Sequence, residues 1–477
     1  MRLSELAAAL GDALSDVVTP TDLSSVEITG VQIDSREAGT GSLFCCLRGE
    51  RTDGHEHAAE AVARGAVAIL VDHPLDLDVP QLVVADTRLA TAPLAVAFHG
   101  DPARSMVVVG VTGTNGKTTT TFLLREVFEE AGMTCEVLGT LSGTRTTPEA
   151  PELQATLAAM RDRGTQAVAM EVSSHALDLH RVDGTWFAVV AFTNLSRDHL
   201  DYHGTMEAYF EVKARLFGPA FSSRAVVNID SAYGRLLVDA AKIPTTGFSL
   251  DDLDDVEMDA SGSRFTWRGE HISLTLGGRF NLSNALTAAE AAFAVGLDPA
   301  VIARGLSHEL VVPGRYEVVD AGQPFRVIVD YAHTPDGLQH VLEAARALGS
   351  GEVTVVFGCG GDRDVTKRPA MGAVAAGHAD RVVLTADNSR GEDTGAIIDE
   401  VRQGYDRASE RPRHDLVVEP DRRRAIALAL AGAGPDDTVV IAGKGHETTQ
   451  TIGDVTVPFD DREVAREELA RRFGGHG

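Results

Sequence analysis

A glycine-rich loop that ends in Lys-Thr carries the clearest chemical signal in the sequence. It reads Gly-Thr-Asn-Gly-Lys-Thr-Thr at residues 113–119, between an apolar run and a helical pattern. Successive backbone N–H groups and the start of a helix would form an anion cradle there. Lys117 would reach the β- and γ-phosphates of a nucleotide, and the Thr118 hydroxyl would bind Mg²⁺. Val111 replaces the first glycine of the GxxxxGK[ST] pattern, but the flanking elements favour a nucleotide site over a chance Gly-Lys-Thr.

Acidic and imidazole side chains follow the next two apolar runs. Glu171 comes at the carboxyl end of the first run, where parallel sheets place their ligand sites. It is either a Mg²⁺ ligand beside the phosphate loop or the cap of the following helix. After the second run, residues 198–203 contain two Asp and two His. His199 is a candidate metal ligand that Asp198 would orient.

Four polar motifs follow four further apolar runs in the last third of the chain. They are DYAHTP at 330–335, FGCGGDRD at 357–364, DNSR at 387–390 and GKGHE at 443–447. Because turns seldom need so many charged groups, we favour one shared cleft over four unrelated turns. The full GxGxxG fingerprint is absent, so nicotinamide binding is not predicted.

Short apolar runs alternate with helical patterns and would position all of these groups. Such alternation is typical of parallel α/β sheets that are covered by helices on both faces. Helical spacing is found at 118–131 and 283–295, and also at 206–217, where spacing alone predicts that Lys213 is an ordinary solvated lysine. The predicted strands are 66–71, 106–111, 167–170, 189–192, 327–329, 353–357, 382–384 and 439–442.

Two turn-rich segments divide the chain into three predicted domains. They are residues 99–102 (HGDP) and residues 312–315 (VPGR). The resulting domains, 1–102, 103–312 and 313–477, lie within the usual size range.

Composition narrows the class of protein further. The 477-residue chain has a net charge of −27, which argues against a broad contact with nucleic acid. Its four cysteines form neither a CxxC pair nor a zinc spacing, and sparse cysteine suits the reducing cytoplasm. Because no run of about 18 apolar residues is found, we expect no membrane span. We expect a cytoplasmic monomer.

In their order along the chain, these motifs resemble those of the Mur ligases, the ATP-dependent amide ligases of peptidoglycan synthesis. The resemblance covers nearly the whole chain and includes DSR at 34–36, TTPE at 146–149, MEVSSH at 170–175 and TNLSRDHLDYH at 193–203. It implies an α/β protein of three domains. A central P-loop parallel-sheet ATPase would be flanked by an N-terminal α/β domain that binds uridine diphosphate and by a C-terminal Rossmann-like domain.

The resemblance also implies a reaction. ATP, with Mg²⁺, would phosphorylate the D-glutamyl carboxylate of UDP-N-acetylmuramoyl-L-alanyl-D-glutamate, and an amino acid would then attack the acyl phosphate. Meso-diaminopimelate is the expected amino acid, and L-lysine or another diamino acid is the alternative. A folylpolyglutamate-type ligase is a rival that the N-terminal domain and Thr146-Thr147 argue against. A nucleotide switch without enzymatic activity would not need Arg363 or Glu447.

By resemblance, the family's binding positions transfer to this chain in three groups. The nucleotide group adds Asn281 and Arg315 to the loop residues Gly113, Thr114, Asn115, Gly116, Lys117, Thr118 and Thr119. The uridine-diphosphate substrate would contact Ser35, Thr52, Asp53, Gly54, Thr146, Thr147, Ser173 and Arg181. The incoming amino acid would contact Arg363, Asp387, Asn388, Arg390, Gly443 and Glu447.

The same resemblance reverses the expectation for Lys213, which matches a lysine that is carbamylated in this family. A carbamate can bind a metal, so the implied Mg²⁺ ligands are Thr118, Glu171, His199 and carbamylated Lys213. The implied catalytic set is Lys117, Glu171, His199 and Lys213.

One motif departs from the family pattern. Diaminopimelate-adding members resemble one another at a DNPR motif, and this chain has Ser389 in place of the proline. The change removes a restraint on the backbone of Asn388, so the loop would be less preorganised. Arg390 is kept, and its planar fork suits the distal carboxylate of diaminopimelate.

Overall fold

Three main sheets follow one another along the chain. The computed structural model describes residues 1–49, 52–143, 145–259, 262–408 and 415–473. Each sheet carries helices and a separate apolar core on both of its faces, which confirms the predicted α/β fold. Among the described residues, no helix has the length and apolar character needed to cross a bilayer.

The first part of the chain forms a five-stranded sheet with three helices. Its elements are α1 (Leu3–Leu10), β1 (Leu14–Val18), β2 (Gly30–Gln32), β3 (Ser42–Cys45), α2 (Ala58–Ala63), β4 (Ala66–Val71), β5 (Gln81–Val84) and α3 (Thr87–His99). The strand order is β1-β5-β4-β3-β2, in which β1 is antiparallel to β5 and the other neighbours are parallel.

The central part forms a six-stranded parallel sheet and a three-stranded antiparallel sheet, with orders β11-β10-β9-β6-β8-β7 and β12-β13-β14. Its strands are β6 (Val107–Thr112), β7 (Cys135–Leu138), β8 (Ala167–Glu171), β9 (Val189–Phe192), β10 (Ala225–Asn228), β11 (Thr245–Phe248), β12 (Asp254–Asp259), β13 (Gly262–Trp267) and β14 (Glu270–Leu274). Its helices are α4 (Lys117–Glu130), α5 (Ala150–Asp162), α6 (Ser174–Asp178), α7 (Leu200–His203), α8 (Met206–Ala214), α9 (Ala232–Ala240), α10 (Arg279–Ala294) and α11 (Pro299–Leu306).

The last part forms a second six-stranded sheet, of order β15-β16-β20-β17-β18-β19, and a hairpin of β21 and β22. Only β15 runs antiparallel to its neighbour within the six-stranded sheet. The strands are β15 (Glu317–Val318), β16 (Arg326–Asp330), β17 (Val353–Phe357), β18 (Arg381–Leu384), β19 (Asp415–Val418), β20 (Thr438–Ala442), β21 (Thr449–Ile452) and β22 (Val455–Pro458). The helices are α12 (Pro335–Ala347), α13 (Lys367–His378), α14 (Thr394–Ala408), α15 (Arg422–Gly432) and α16 (Asp461–Phe473).

The sheet orders bring the polar motifs to two edges. Strands β9, β6 and β8 are parallel neighbours, so the phosphate loop after β6, Glu171 at the end of β8 and the segment after β9 start at one edge. In the last sheet, β16, β20, β17 and β18 are parallel neighbours, and each is followed by one of the four polar motifs. Ligand sites in parallel sheets lie at this carboxyl edge.

The strands and helices agree closely with the sequence patterns. All eight predicted strands are present, and their ends differ by at most one residue from the prediction. The predicted helix at 206–217 ends earlier, at Ala214, and continues as a 3₁₀ turn over Arg215–Phe217. The predicted domain boundaries fall in a 3₁₀ turn, Pro102–Ser105, and between α11 and β15. They stay a prediction, and residues 474–477 of the third domain lie outside the described residues.

Candidate active site

The backbone of the phosphate loop has a shape that only glycine fits at two positions. Gly113 has a φ of 156°, and a Cβ there would lie 1.9 Å from the Thr193 hydroxyl oxygen. Gly116 has a φ of 86°, and a Cβ there would lie 2.1 Å from Oδ1 of Asn284. Both contacts are far inside van der Waals distance, so these glycines let the loop pass between β9 and α10.

Lys117, the first residue of α4, folds back over this loop. Its ammonium donates hydrogen bonds to the carbonyl oxygens of Gly113 at 3.0 Å and Thr114 at 2.9 Å. Desolvation lowers the pKa of Lys117, although the nearby carboxylate of Glu171 acts in the opposite direction. The cation therefore lies where a nucleotide phosphate on the loop would meet it.

Glu171 lies beside the loop, at the carboxyl end of β8. Its Oε1 accepts hydrogen bonds from the Thr118 hydroxyl and from the backbone N–H of Thr140, both at 2.9 Å. The next helix, α6, is capped by the Ser173 side chain, so the alternative role of Glu171 as a helix cap is wrong. Carboxylate and hydroxyl oxygens are the ligands that Mg²⁺ prefers, and Thr118 and Glu171 supply one of each.

Lys213 is buried below the same loop. Only 1% of the residue is exposed, so the expectation of a solvated lysine from helical spacing is wrong. Its ammonium donates hydrogen bonds to the Gly113 carbonyl at 3.0 Å and to the Thr112 hydroxyl at 3.3 Å, and lies 4.9 Å from the ring centroid of Tyr209. Burial lowers the pKa of Lys213 well below its ordinary value, and the positive charge of Lys117 lowers it further.

His199 begins helix α7 in a left-handed conformation, with a φ of 53°. Its backbone N–H donates to Oδ1 of Asp198 at 2.9 Å, and its ring lies edge-on to that of His175. The other oxygen of Asp198 lies 3.5 Å from the ring of His199 and 3.6 Å from that of His333, in the last part of the chain. Burial alone would raise the pKa of Asp198, but hydrogen bonding and attraction from His333 hold it well below its ordinary value.

Of the predicted metal ligands, Thr118 and Glu171 are joined directly, by a hydrogen bond of 2.9 Å. Across the described ranges, no hydrogen bond or ion pair joins Glu171, His199 and Lys213. Among the described residues, one group of three His, Cys, Asp or Glu side chains has all of its ligand atoms within 4.8 Å of one another. It consists of His55, Asp72 and His73. That group lies in the first part of the chain, where Arg48 already pairs with Asp72 at 2.7 Å.

The remaining predicted nucleotide residues surround the loop. The Asn115 side chain donates to Asp336, at the start of α12, at 3.0 Å. Arg315 lies 3.4 Å from the Thr118 hydroxyl and 4.2 Å from the ring centroid of Tyr331. These contacts join the central and last parts of the chain at the phosphate loop. The other three predicted residues, Thr114, Thr119 and Asn281, are buried.

A cleft of about 1180 Å³ opens between the first and central parts of the chain. Ser35, Thr52 and Gly54 line it, as predicted for the uridine-diphosphate end. Asp53 does not, because its carboxylate pairs with Arg48 and with the ring of His55, each at 2.6 Å. Sequence reasoning missed Arg145, which lines both this cleft and the one described next.

A second cleft, of about 610 Å³, lies between the central and last parts of the chain and is called the ligase cleft below. Residues from all four polar motifs of the last third line it, which confirms one shared cleft over four unrelated turns. The predicted amino-acid contacts on its wall are Arg363, Asp387, Asn388, Arg390, Gly443 and Glu447. The opposite wall carries four predicted contacts to the muramoyl-peptide part of the substrate, Thr146, Thr147, Ser173 and Arg181, and the predicted metal ligand His199.

A buried lysine bonds to two residues on the side of the ligase cleft that carries the predicted amino-acid contacts, called the amino-acid wall below. Lys444 is 0% exposed and donates to Glu447 at 3.0 Å and to Oδ1 of Asn388 at 3.3 Å. The Asn388 side chain in turn donates to Glu447 at 2.7 Å. Lys444 lies inside the GKGHE motif, so motif position was the one signal that could have identified it. Arg390 donates to the Gly361 carbonyl at 2.7 Å and has a φ of 49°.

Known proteins match the chain over nearly its full length. The Mur ligase family catalytic domain matches residues 27–98, the Mur ligase middle domain 111–292 and the Mur ligase glutamate ligase domain 314–445. The UDP-N-acetylmuramoyl-L-alanyl-D-glutamate--2,6-diaminopimelate ligase of Streptomyces coelicolor is 44% identical, over 99% of this chain and 97% of that protein. A solved structure of a ligase with that name has a TM-score of 0.69 and 32% identity, over 99% of both chains. The MurF ligase of Thermotoga maritima in complex with ADP shares the fold, with a TM-score of 0.61 and 20% identity over 93% of this chain and 96% of that one.

These matches, the phosphate loop and the ligase cleft define an ATP-dependent ligase that forms ADP and joins an amino acid to a carboxylic acid. The chain belongs to the Mur ligase family. The full-length agreement favours this family over the folylpolyglutamate-type ligase and the nucleotide switch.

Proposed function

We propose that this chain adds meso-diaminopimelate to UDP-N-acetylmuramoyl-L-alanyl-D-glutamate in the cytoplasm, as a step of peptidoglycan synthesis. The observation that carries the proposal is the ligase cleft, whose two walls hold the predicted muramoyl-peptide contacts and the predicted amino-acid contacts. The name of the Streptomyces coelicolor relative states this reaction and supports it. All four cysteines are free and buried, which suits a reducing compartment.

The reaction consists of two displacements. In the first, an oxygen of the D-glutamyl side-chain carboxylate bonds to the γ-phosphorus of ATP, and the bond from that phosphorus to ADP breaks. In the second, the amine nitrogen of the amino acid bonds to the acyl carbon, the bond from that carbon to the phosphate oxygen breaks, and the amine loses its proton. Lys117 and Arg315 would offset the phosphate charge, because phosphoryl transfer depends mainly on positioning and electrostatics.

Thr118 and Glu171 fit a Mg²⁺ site, because their oxygens are already paired beside the phosphate loop. Bound there, Mg²⁺ would neutralise phosphate charge. We propose His199 and a carbamate on Lys213 as the further ligands. The carbamate would form when the neutral amine of Lys213 bonds to the carbon of CO₂ and releases a proton. The lowered pKa of Lys213 supports this reaction, since only the neutral amine is a nucleophile.

The substrate would extend between the two clefts. Its uridine-diphosphate end would occupy the larger cleft at Ser35, Thr52 and Gly54, and its peptide end would reach Thr147 and Arg181 in the ligase cleft. Arg145 lines both cavities, which supports a single ligand that spans them. Asp53 would act indirectly, by holding the turn before Gly54 through its bond to Arg48.

The test is phosphate release with ATP, Mg²⁺, UDP-N-acetylmuramoyl-L-alanyl-D-glutamate and a panel of amino acids. We expect release only when the nucleotide, the muramoyl-dipeptide and the amino acid are all present, and fastest with meso-diaminopimelate. Release that does not depend on the muramoyl-dipeptide would refute the proposal. Mass spectrometry of the product would confirm that the amide has formed.

A further inference from the structure

Lys367 differs from every other lysine in the chain. There are five lysines in the sequence, and Lys117, Lys213 and Lys444 donate hydrogen bonds to protein acceptors, while Lys242 is exposed. Lys367 is 7% exposed, yet its ammonium makes no hydrogen bond or ion pair with any residue that the structure describes. It is thus a buried cation that has no hydrogen-bond or ion-pair partner within the described ranges, although it lies in the field of the Asp198 carboxylate.

The side chain of Lys367 lines the ligase cleft at the start of α13. The preceding residue, Thr366, accepts a hydrogen bond from Arg197 at 2.7 Å, so this position lies where the last part of the chain meets the central part. The following residue, Arg368, makes ion pairs with Glu392 at 2.8 Å and Glu400 at 3.0 Å. Those carboxylates are therefore engaged by the neighbouring cation.

An unpaired charge in such a place is unfavourable for the folded protein. A buried polar group without a partner costs about 1–3 kcal/mol, and more when it is charged. An anionic ligand in the cleft would remove that cost. Asp198 also lines the cleft, and its negative charge attracts both Lys117 and Lys367. Lys117 of the phosphate loop and Lys367 of α13 therefore both lie within electrostatic range of Asp198.

We propose that Lys367 binds the phosphoryl oxygens of the acyl phosphate in the ligase cleft. The inference rests on the proposed function, because it needs an acyl phosphate in the cleft. When the amine attacks, the electrons of the breaking carbon–oxygen bond pass to the leaving phosphate, which gains negative charge. A fixed cation at that oxygen stabilises the transition state more than the ground state. Arg363 and Arg390 would then bind the carboxylates of the amino acid.

The test compares Lys367→Met and Lys367→Arg with Lys242→Met, a matched control at the exposed lysine. We expect Lys367→Met to lower kcat by about 100-fold or more, as expected when a donor to a developing oxyanion is lost. The KM values for ATP, muramoyl-dipeptide and diaminopimelate should stay within about threefold. Because Met relieves an unpaired charge, Tm should rise by about 2 °C or more. Lys367→Arg should keep part of kcat, and Lys242→Met should match the unmodified chain.

Other outcomes would overturn the inference. A raised KM for diaminopimelate with an unchanged kcat would show that Lys367 binds a carboxylate of the amino acid. A raised KM for the muramoyl-dipeptide alone would show that it binds a carboxylate of that substrate. A lower Tm with normal kinetics would show a purely structural role. Failure of the proposed function would look different, because the unmodified chain would then release no phosphate with the three substrates.

Discussion

Lys117 and Lys213 donate hydrogen bonds to the same oxygen, the carbonyl of Gly113, each at 3.0 Å. The two ammonium groups approach it from different helices, α4 and α8. Desolvation lowers the pKa of both lysines, and the positive charge of Lys117 lowers the pKa of Lys213 further. Lys213, which is lowered well below its ordinary value, is the one that can most easily give up its proton.

We predict that Lys117→Ala lowers turnover by about two to three orders of magnitude, because a cation at the transferring phosphate is lost. The fold should survive, since in the described part of the chain the Lys117 ammonium bonds to two loop carbonyls, and one of them, that of Gly113, also accepts from Lys213. ADP formation and circular dichroism measure the two effects. Near-normal ADP formation by Lys117→Ala would contradict the assignment of the nucleotide site.

Lys213→Ala should abolish most of the activity if Lys213 carries a carbamate that helps to hold Mg²⁺. We expect a loss of about 100-fold or more, as for other essential ligands of a catalytic metal. A high-resolution density map of the unmodified protein would show the extra carboxylate on Nζ, and Lys242→Ala is the control. The idea fails if the map shows a free ammonium on Gly113 and the alanine variant works at the normal rate.

We expect Arg390 to decide which amino acid the protein uses. Arg390 lines the ligase cleft, and in the described residues Nη1 is the one atom of its guanidinium that donates hydrogen bonds, to the carbonyls of Gly361 and Asn388. Lysine has no distal carboxylate and would leave the rest of the guanidinium unpaired. We therefore expect at least about tenfold higher kcat/KM for meso-diaminopimelate than for L-lysine, which is worth roughly 1.4 kcal/mol. Competition between both amino acids measures the ratio, and equal use would contradict the prediction.

Ser389 lies in the same loop, directly before Arg390. It is 1% exposed, and its hydroxyl lies 2.9 Å from that of Thr394 at the start of α14. The loop was expected to be less preorganised without the proline of the DNPR motif. The buried hydroxyl pair supplies a different restraint on this loop.

A buried ion pair should matter for the stability of the last part of the chain. Arg422 and Asp461 are both 0% exposed and lie 2.6 Å apart. Arg422 also donates to the carbonyls of Ala386 and Ala442, which immediately precede Asp387 and Gly443 of the amino-acid wall. Asp461→Asn leaves the guanidinium uncompensated, so we expect the unfolding free energy to fall by about 3–5 kcal/mol. Chemical denaturation measures it, and a loss below about 1 kcal/mol would contradict the prediction.

Acid should destabilise the protein in part through His446. Burial, then repulsion from Arg315, lowers the pKa of His446 to about 4. An unfolded histidine has a pKa near 6.5, so between about pH 4 and 6.5 the unfolded state binds more protons and stability falls as the pH falls. His446→Gln should reduce the loss of unfolding free energy between pH 7 and pH 5 by about 1 kcal/mol. Urea denaturation at both pH values measures this, and an equal loss in both proteins would count against it.

The sequence by itself determined the elements and the edges where chemistry would occur. Residues close together in the sequence set whether a segment forms a strand, a glycine-rich loop or a helix. The phosphate loop and the eight strands could therefore be predicted to within about one residue. The shared ligase cleft also followed, because parallel strands that carry polar motifs end at one edge of a sheet. Resemblance to a family supplied the roles of residues such as Arg363 and Glu447, which local pattern could not.

Only the tertiary structure decided which side chains are buried and what they contact. Helical spacing places Lys213 on a helix face but does not reveal that Gly113, 100 residues earlier, covers it. Spacing also cannot reveal the pair of Ser389 with Thr394 or the engagement of Asp53 by Arg48. The same holds for Lys367, whose ammonium lacks a hydrogen-bond partner among the residues described. Burial and pKa depend on atoms that approach in space from distant parts of the chain, and a linear pattern records only the neighbours along it.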